Sequence, residues 1–235
     1  MIGYTLCVLL GLALAALAFC WQPRSVELPP GERQALRFGA LAGAILGAYG
    51  LQLPADLFGW SAPPPAGLPG TGDALPLGGR TVLGGLLGGW LGVEGVKALA
   101  GIQKPTGGDF ALPLALALGS GRIGCWCAGC CAGAPCAAGW FATVDAAGTP
   151  RVPVQLLEAG FHFAAAIVLA VLAKRRALPT TRLAAYLAAY AVVRFTLEFW
   201  RLHPPVVIGL SWHQLLAAGL FALAGGTWLR RAVAR

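Results

Sequence analysis

Five cysteines lie within twelve residues of the stretch GSGRIGCWCAGCCAGAPC, residues 119–136, and Arg122 stands just before them. Thiols at this density can form disulfides, bind a soft metal ion, or act as nucleophiles and acid/base groups. Their spacings include C-x4-C and C-x2-C, but the segment has no histidine or carboxylate. One or two disulfides are the plainest prediction, a metal site is less favoured, and a thiol activated by Arg122 is the third alternative. The five are Cys125, Cys127, Cys130, Cys131 and Cys136.

Charged residues inside apolar segments form a second group that could take part in binding or catalysis. Arg194, Glu198 and Arg201 are spaced i, i+4 and i+7, which places them on one face of a helix. The segment RVPVQLLEAG brings further polar groups to the start of another helix, namely Arg151, Gln155 and Glu158. Ionisable residues within a bilayer are costly and indicate a functional site, although simple pairing that holds the helices together is the alternative.

The count of charges favours a bound anion. Four arginines, counting Arg122, face only two glutamates in this group, so positive charge is left over. A guanidinium presents a planar fork of donors that suits phosphate oxygens. We therefore expect a phospholipid headgroup as the bound anion.

Composition places these residues in a membrane protein. Hydrophobic residues make up 57% of the 235-residue chain, charged residues 11%, and the mean hydropathy is +0.72. Seven stretches are long enough to cross a bilayer. The prediction is an all-α polytopic bundle forming one domain over residues 1–235, with a short Cys-rich outer loop at 125–151. The helices are predicted at 3–21, 36–53, 82–102, 110–126, 156–173, 183–200 and 209–229.

Lysine and arginine in alternate loops predict the orientation of the bundle, because cytoplasmic loops are enriched in them. The resulting prediction has the N-terminus outside and the C-terminus in the cytoplasm. It explains much of the net charge of +8 without nucleic acid. The basic residues of these loops are Arg24, Arg33, Arg37, Lys97, Lys104, Lys174, Arg175, Arg176, Arg182, Arg230, Arg231 and Arg235.

The segment LGGRTVLGGLLGGWLGVEGVKALAG is rich in glycine at spacings of three and four. Such spacings let membrane helices approach closely, so most of the glycines are expected to serve packing. The segment matches neither a dinucleotide fingerprint nor an ATP-type phosphate loop. Glu94 and Lys97 are predicted to pair with each other or to extend to the inner surface.

Five motifs together resemble the prolipoprotein diacylglyceryl transferases. They occur in the family's order and at roughly its spacing, and they read VLGGLLGG, GSGRIGCWCAGCCAG, RVPVQLLEAG, VVRFTLEFWR and GLSWHQLL. The resemblance implies seven membrane helices, residence in the bacterial plasma membrane, and transfer of a diacylglyceryl group from phosphatidylglycerol to a cysteine thiol of a lipoprotein precursor. Arg122 and Arg194 resemble the two essential arginines of the family, and Gly133 resembles the glycine that closes its signature.

The same resemblance implies roles for further residues. Arg151, Gln155, Glu158, Glu198 and Arg201 are expected to bind substrate or to orient the essential arginines. Gly84 and Gly85 match the family's His-Gly-Gly-Leu and are also expected at the substrate. Phospholipid and a thiol-bearing protein or small-molecule acceptor are the predicted partners, and no cofactor, metal or nucleic acid is predicted.

Departures from the family pattern bear on catalysis. Leu83 stands where the family has the histidine of His-Gly-Gly-Leu, while Cys125 and Cys130 replace an asparagine and a glutamate of the signature. We expect Cys130 or Cys131 to take part in catalysis, with His213 as the alternative base. The other two histidines, His162 and His203, are expected to be ordinary polar groups. A lipid or anion transport protein without chemistry and a Cys-based thiol or metal module are the alternative functions.

Overall fold

The computed structural model describes residues 2–61, 80–139, 141–145 and 147–233 of the chain. These residues form seven long α-helices and one short one, which confirms the predicted all-α bundle. The helices are α1 (Ile2–Trp21), α2 (Pro30–Gly50), the short α3 (Leu53–Leu57), α4 (Val82–Ala100), α5 (Ala111–Cys127), α6 (Val154–Lys174), α7 (Arg182–Leu197) and α8 (Trp212–Val233).

Four short strands complete the described part of the chain. They pair as two antiparallel hairpins, β1 (Thr143–Val144) with β2 (Pro150–Arg151) and β3 (Pro205–Val207) with β4 (Leu210–Ser211). Two 3-10 turns, Gly107–Phe110 and Glu198–Trp200, precede α5 and follow α7.

Six segments are long and apolar enough to cross a membrane. They are Ile2–Trp21, Pro30–Leu57, Val82–Ala100, Gly107–Cys127, Val154–Lys174 and Arg182–Trp200. The chain is therefore a multi-pass membrane protein. A membrane span for α8, which packs against α7, stays a prediction.

Most helix bounds shift from the predicted ones, α7 for example ending at Leu197 rather than at residue 200. The two starts that shift most, those of α2 and α8, do so for identifiable reasons. Helix α2 begins at Pro30 rather than at residue 36, because its first turns carry charged side chains that a search for apolar residues leaves out. Helix α8 begins at Trp212 rather than at residue 209, because Leu210 and Ser211 pair with β3 instead. Both differences lie at helix ends, where polar residues and turns replace the apolar pattern.

All seven long helices have one end near the two hairpins, and we call this the hairpin end of the bundle. Contacts of Gly3 and Gly124 join the start of α1 to the last turn of α5 there. The indole of Trp212 donates a hydrogen bond of 2.7 Å to the carbonyl oxygen of Leu51, which joins α8 to the chain just after α2. The hairpin end therefore collects residues from helices that are far apart in sequence.

The predicted basic loops gather at the opposite end. Lys104 Nζ donates to the Glu27 carbonyl at 3.1 Å, Arg231 donates to the Thr180 carbonyl at 2.9 Å, and Arg182 donates to the Ser25 hydroxyl at 2.5 Å. The predicted Glu94–Lys97 pair is confirmed, with Nζ 3.0 Å from Oε1. Arg235, which was assigned to the same group, lies outside the described residues.

Helices α2 and α4 are held together by glycines. A Cβ added at Gly43 would lie 2.2 Å from the Gly88 carbonyl oxygen, and one added at Gly88 would lie 2.2 Å from that of Gly43. Added Cβ atoms at Gly47 and Gly84 would meet each other's carbonyl oxygens at 2.2 and 2.3 Å. The two backbones thus approach too closely for any side chain, which confirms the packing interpretation of the glycine-rich segment.

The segment after α5 is fixed to the starts and ends of two other helices. Gly133 N donates to the Val152 carbonyl at 3.0 Å, Val152 N donates to the Ala134 carbonyl at 3.1 Å, and Ala134 N donates to the Trp200 carbonyl at 2.6 Å. A Cβ on Gly133 would lie 2.6 Å from the Val152 oxygen, so the position suits glycine alone. These main-chain bonds tie α5 to the chain before α6 and after α7.

Candidate functional site

Glu158, on the second turn of α6, is the centre of a buried polar cluster at the hairpin end. Its side chain is fully buried, and Arg122 and Arg201 approach its two carboxylate oxygens at 2.8 and 2.9 Å. The hydroxyl of Tyr190 donates a hydrogen bond of 2.7 Å to Oε1, and Arg194 Nε lies 3.8 Å from the same oxygen. One carboxylate from α6 therefore joins α5, α7 and the residue that follows the 3-10 turn after α7.

Glu198 is the second carboxylate of the cluster. Arg194, one turn earlier, forms an ion pair with Oε2, and Arg201 Nε lies 4.0 Å from that oxygen. The Ser211 hydroxyl donates to Oε1 at 3.1 Å. Glu198 thus presents one oxygen to guanidinium groups and the other to β4 and its neighbours.

Two histidines lie on the side of Glu198 Oε1. Nδ1 of His203 is 2.5 Å from this oxygen and Nδ1 of His213 is 3.7 Å from it, while the two rings stack with centroids 4.3 Å apart. The three atoms lie within 4.8 Å of one another, a spacing that could also hold a metal ion. Arg194 and Arg201 bring positive charge to the same carboxylate, so a cation at this position would be repelled more than at an acidic site without arginines.

The arginines outnumber the carboxylates in this cluster. Arg122, Arg194 and Arg201 stand against Glu158 and Glu198, which leaves one positive charge. The side chains of these three arginines are at most 9% exposed. A buried charge surplus needs a counter-ion, so the cluster favours an anion.

Arg151 lies apart from this cluster, which corrects the expectation that it orients Arg122 and Arg194. Its Nε donates to Asp145 Oδ2 at 2.5 Å, and its NH1 lies 3.3 Å from the Gly133 carbonyl oxygen. Asp145 sits in the turn between β1 and β2, so the hairpin captures the arginine. The hydrogen bond from Arg151 holds the pKa of Asp145 below its usual range.

All seven cysteines are described and all carry free thiols, so the predicted disulfides are not formed. Three of them nevertheless converge, since the sulfurs of Cys125, Cys130 and Cys131 lie within 4.8 Å of one another. Gln155, expected at the substrate, donates a hydrogen bond of 2.8 Å to the Cys130 carbonyl oxygen. Its amide thus positions the cysteine loop against α6. Cys131 lies within electrostatic range of Arg201 and Arg122, as a catalytic role would require.

Gly84 and Gly85 face α2 rather than the arginine cluster. The nearest atoms to an added Cβ belong to Gly47 and Thr81 for Gly84, and to Ala44 and Ala48 for Gly85. Their contacts give them a packing role, and their expected place at the substrate stays a prediction. Leu83 is fully buried in the apolar core, where a histidine would need a polar partner.

Sequence reasoning missed two contributors to the cluster. Tyr190 precedes Arg194 by one helical turn and therefore shares its face, a signal that the helical spacing contains. His203 follows Arg201 in the loop before β3, where no periodicity indicates a direction. The third histidine, His162, forms the expected polar contact, with Nδ1 2.8 Å from the Tyr186 hydroxyl.

A multi-pass helical bundle with a buried, net positive arginine cluster at one end defines an integral membrane protein with a charged site inside the bundle. The family model for prolipoprotein diacylglyceryl transferase matches residues 2–230, and the chain belongs to this family.

One curated relative of the chain is the phosphatidylglycerol–prolipoprotein diacylglyceryl transferase 2 of Clostridium perfringens (strain 13 / Type A). It is 33% identical over 162 residues, a match that covers 64% of this chain and 61% of the relative. The chain therefore spans less than two thirds of the relative's length.

Proposed function

We propose that the protein is an enzyme that transfers a diacylglyceryl group from phosphatidylglycerol to a thiol, or to another nucleophile, at the outer face of the bacterial plasma membrane. The observation that carries this proposal is the surplus of buried arginine around Glu158 and Glu198. A phosphodiester carries one negative charge, which matches the single unpaired positive charge of the cluster. Membership of the transferase family and the name of the relative support the same reaction class.

In this reaction the arginines bind the phosphate, and the glutamates hold the arginines in position. The acceptor sulfur attacks the diacylglyceryl carbon that is bonded to the phosphate oxygen, so that a C–S bond forms and this C–O bond breaks. Glycerol phosphate leaves with the electron pair, and its growing charge is stabilised by Arg122 and Arg194. Glu158 and Glu198 hold these guanidinium groups in place before the lipid arrives, which limits reorganisation during the reaction.

The proton of the acceptor thiol needs a base. The candidates near the arginine cluster are His203 and the cysteines Cys130 and Cys131. We assign this role to His203, because Glu198 lies against its Nδ1 and can orient the imidazole, as a carboxylate does in a catalytic triad. The side chain of His203 is 13% exposed, so an acceptor can reach it. Cys130 or Cys131, the catalytic residues expected from the sequence, are the competing assignment.

The orientation of the bundle belongs to the same proposal. With the basic loops in the cytoplasm, the hairpin end faces outward, where a lipoprotein precursor presents its cysteine. Phosphatidylglycerol enters from the surrounding leaflet, because the cluster lies within the ends of membrane-spanning helices.

Labelled phosphatidylglycerol in detergent micelles tests the reaction directly. Purified protein with a thiol peptide should release glycerol phosphate and yield a diacylglyceryl thioether, and Arg122→Ala or Arg194→Ala should abolish both products while lipid binding weakens. Arg80→Ala is a matched control, since this exposed arginine stacks over the Tyr49 ring at 5.6 Å and does not belong to the cluster. Intact lipid with every thiol and alcohol acceptor would overturn the transferase assignment.

A second function, lipid or anion transport without chemistry, is favoured by one observation. Leu83 occupies the place of the family histidine and is sealed in the apolar core. Reconstituted vesicles that carry labelled lipid in one leaflet distinguish the two functions. Transport moves the label between leaflets and leaves the phosphodiester whole, whereas the transferase releases glycerol phosphate.

A further inference from the structure

The cysteine group at the hairpin end has no task in the proposed lipid reaction that requires three thiols. Cys125 lies on the last turn of α5, and Cys130 and Cys131 follow in the loop. Their three sulfurs lie within 4.8 Å of one another, whereas the other four cysteines do not belong to this group. Three thiols that come together from a seven-residue segment can act as the ligands of a single ion.

The backbone of the loop holds the three thiols in this arrangement. Cys130 N donates to the Cys125 carbonyl at 3.1 Å, which closes the turn at the end of α5. Gly129 and Cys131 adopt left-handed backbone angles, with φ of 68° and 60°, so the chain leaves the helical conformation directly after α5. Gln155 anchors the Cys130 carbonyl from α6. The loop is therefore fixed to two helices around the sulfurs.

The spacing is close to that of a thiolate metal centre. A Zn–S distance of about 2.3 Å gives sulfur–sulfur distances of about 3.8 Å in a tetrahedral site and about 4.0 Å in a trigonal one. Sulfurs within 4.8 Å of one another need to approach by less than about 1 Å, which changes in side-chain rotamers can supply. No large movement of the loop is required.

The charge and the ligand type select the kind of ion. An all-sulfur set favours thiophilic ions and disfavours Mg²⁺ and Ca²⁺, which prefer oxygen ligands. Three thiolates around a divalent ion keep one negative charge, and the neighbouring Arg122 and Arg201 offset it. Cys131 is exposed, which gives an ion a path from the surface to the group.

We infer that Cys125, Cys130 and Cys131 form a three-thiolate site for a thiophilic metal ion of the Zn²⁺, Cd²⁺ or Cu⁺ class. Each thiol that ligates the ion releases its proton, and the oxidation state of sulfur and metal does not change. The site leaves a fourth position open for water or an external thiol. The site shares the neighbouring Arg122 and Arg201 with the lipid cluster, but binding of the ion does not require that the protein transfers diacylglyceryl groups.

Cadmium titration of the reduced, metal-free protein in detergent tests this site. Thiolate-to-cadmium charge-transfer absorption should grow until one ion is bound per chain, and Zn²⁺ should displace the cadmium in competition. Cys125→Ser, Cys130→Ser and Cys131→Ser should each weaken binding by more than about 100-fold, because each removes a direct ligand. Elemental analysis of the dialysed protein checks the stoichiometry.

Two cysteines of the same region provide matched controls. Cys127→Ser and Cys136→Ser remove neighbouring thiols outside the group and should leave cadmium affinity unchanged. Circular dichroism verifies that each variant keeps its helices. Equal losses in the controls, or unchanged affinity when all three proposed ligands are serine, would overturn the site. Lipid turnover is measured separately on metal-free protein, so failure of the transferase proposal does not affect this result.

Discussion

Two regions of the bundle hold their helices together by opposite means. Helices α2 and α4 meet through bare backbone at Gly43 and Gly88, whereas α5, α6 and α7 meet through the charged side chains around Glu158. The glycine interface demonstrates that close packing in this protein needs no charge. The arginine cluster buries charge at a cost that small residues would avoid, and this favours a role beyond holding the helices together.

The largest effect is expected from Glu158→Gln. Neutralising the carboxylate leaves Arg122 and Arg201 without their buried partner, which should destabilise the protein by about 3–5 kcal/mol. Lipid transfer should also fall below detection, since the arginines lose their positions. Thermal unfolding in detergent and release of glycerol phosphate measure the two effects.

Glu94→Gln is the matched control for this substitution. Glu94 pairs with Lys97 at the opposite end of the bundle, and its side chain is 46% exposed. Both readouts should change little. Equal losses in the two variants would mean that the cluster has only a structural role.

His203→Ala should have the next largest effect, on turnover rather than on stability. Loss of a general base slows a reaction by about 10²- to 10⁴-fold, and raising the pH in the assay should restore part of the rate by ionising the acceptor thiol directly. A pH profile of turnover with a thiol peptide measures this. Lipid binding should be preserved, because the imidazole faces away from the guanidinium side of Glu198.

Cys131→Ser and His213→Ala decide between the candidate bases. If His203 is the base, Cys131→Ser keeps turnover in metal-free protein. Loss of turnover in Cys131→Ser or Cys130→Ser with normal activity in His203→Ala would return the role to the cysteines, as the sequence suggested. His213→Ala should have a smaller effect on turnover than His203→Ala, since its Nδ1 lies farther from Glu198.

Gly88→Ala tests the glycine interface between α2 and α4 and should affect stability alone. Its methyl group would lie 2.2 Å from the Gly43 carbonyl oxygen, so the helices must separate, at a cost of about 1–3 kcal/mol. Gly95→Ala, on the same helix with no atom within 4 Å of the added methyl group, should be neutral or stabilising. The unfolding temperatures of both variants in detergent measure the difference, and equal shifts would contradict the glycine interface.

Asp145→Asn should give the smallest change, a local loosening of the β1–β2 hairpin. The pKa of Asp145 is lowered in the folded protein, so the stability from its bond to Arg151 is present above the unfolded value and is lost as the pH falls through the folded value. Protection from hydrogen exchange at residues 143–151, measured relative to the intrinsic exchange rate at each pH, should therefore fall at acid pH in the unsubstituted protein and be low at all pH values in the variant. Exchange that is identical in both would contradict this pairing.

Helical spacing explains which parts of the site were predictable. The i, i+4, i+7 spacing predicted that Arg194, Glu198 and Arg201 share one helical face. The structure does bring them together with Arg122 and Glu158, although α7 ends at Leu197 and Arg201 follows a 3-10 turn. Loops carry no such periodicity, so neither the capture of Arg151 by Asp145 nor the approach of His203 to Glu198 could be read from the sequence. The sequence also does not show the state of the thiols, because three cysteines in a turn can form a disulfide or lie close together as free thiols.

The main-chain bonds between residues 133–135 and 151–152 bear on where residues can be inserted into this chain or deleted from it. Together with the bridge between Pro135 and Arg151, these bonds close the base of the loop that runs from residue 136 to residue 150. Loop closure becomes costlier by only about 0.6 kcal/mol for each doubling of loop length. We therefore expect that residues can be inserted or removed between residues 136 and 150 without disturbing Glu158 or its arginines.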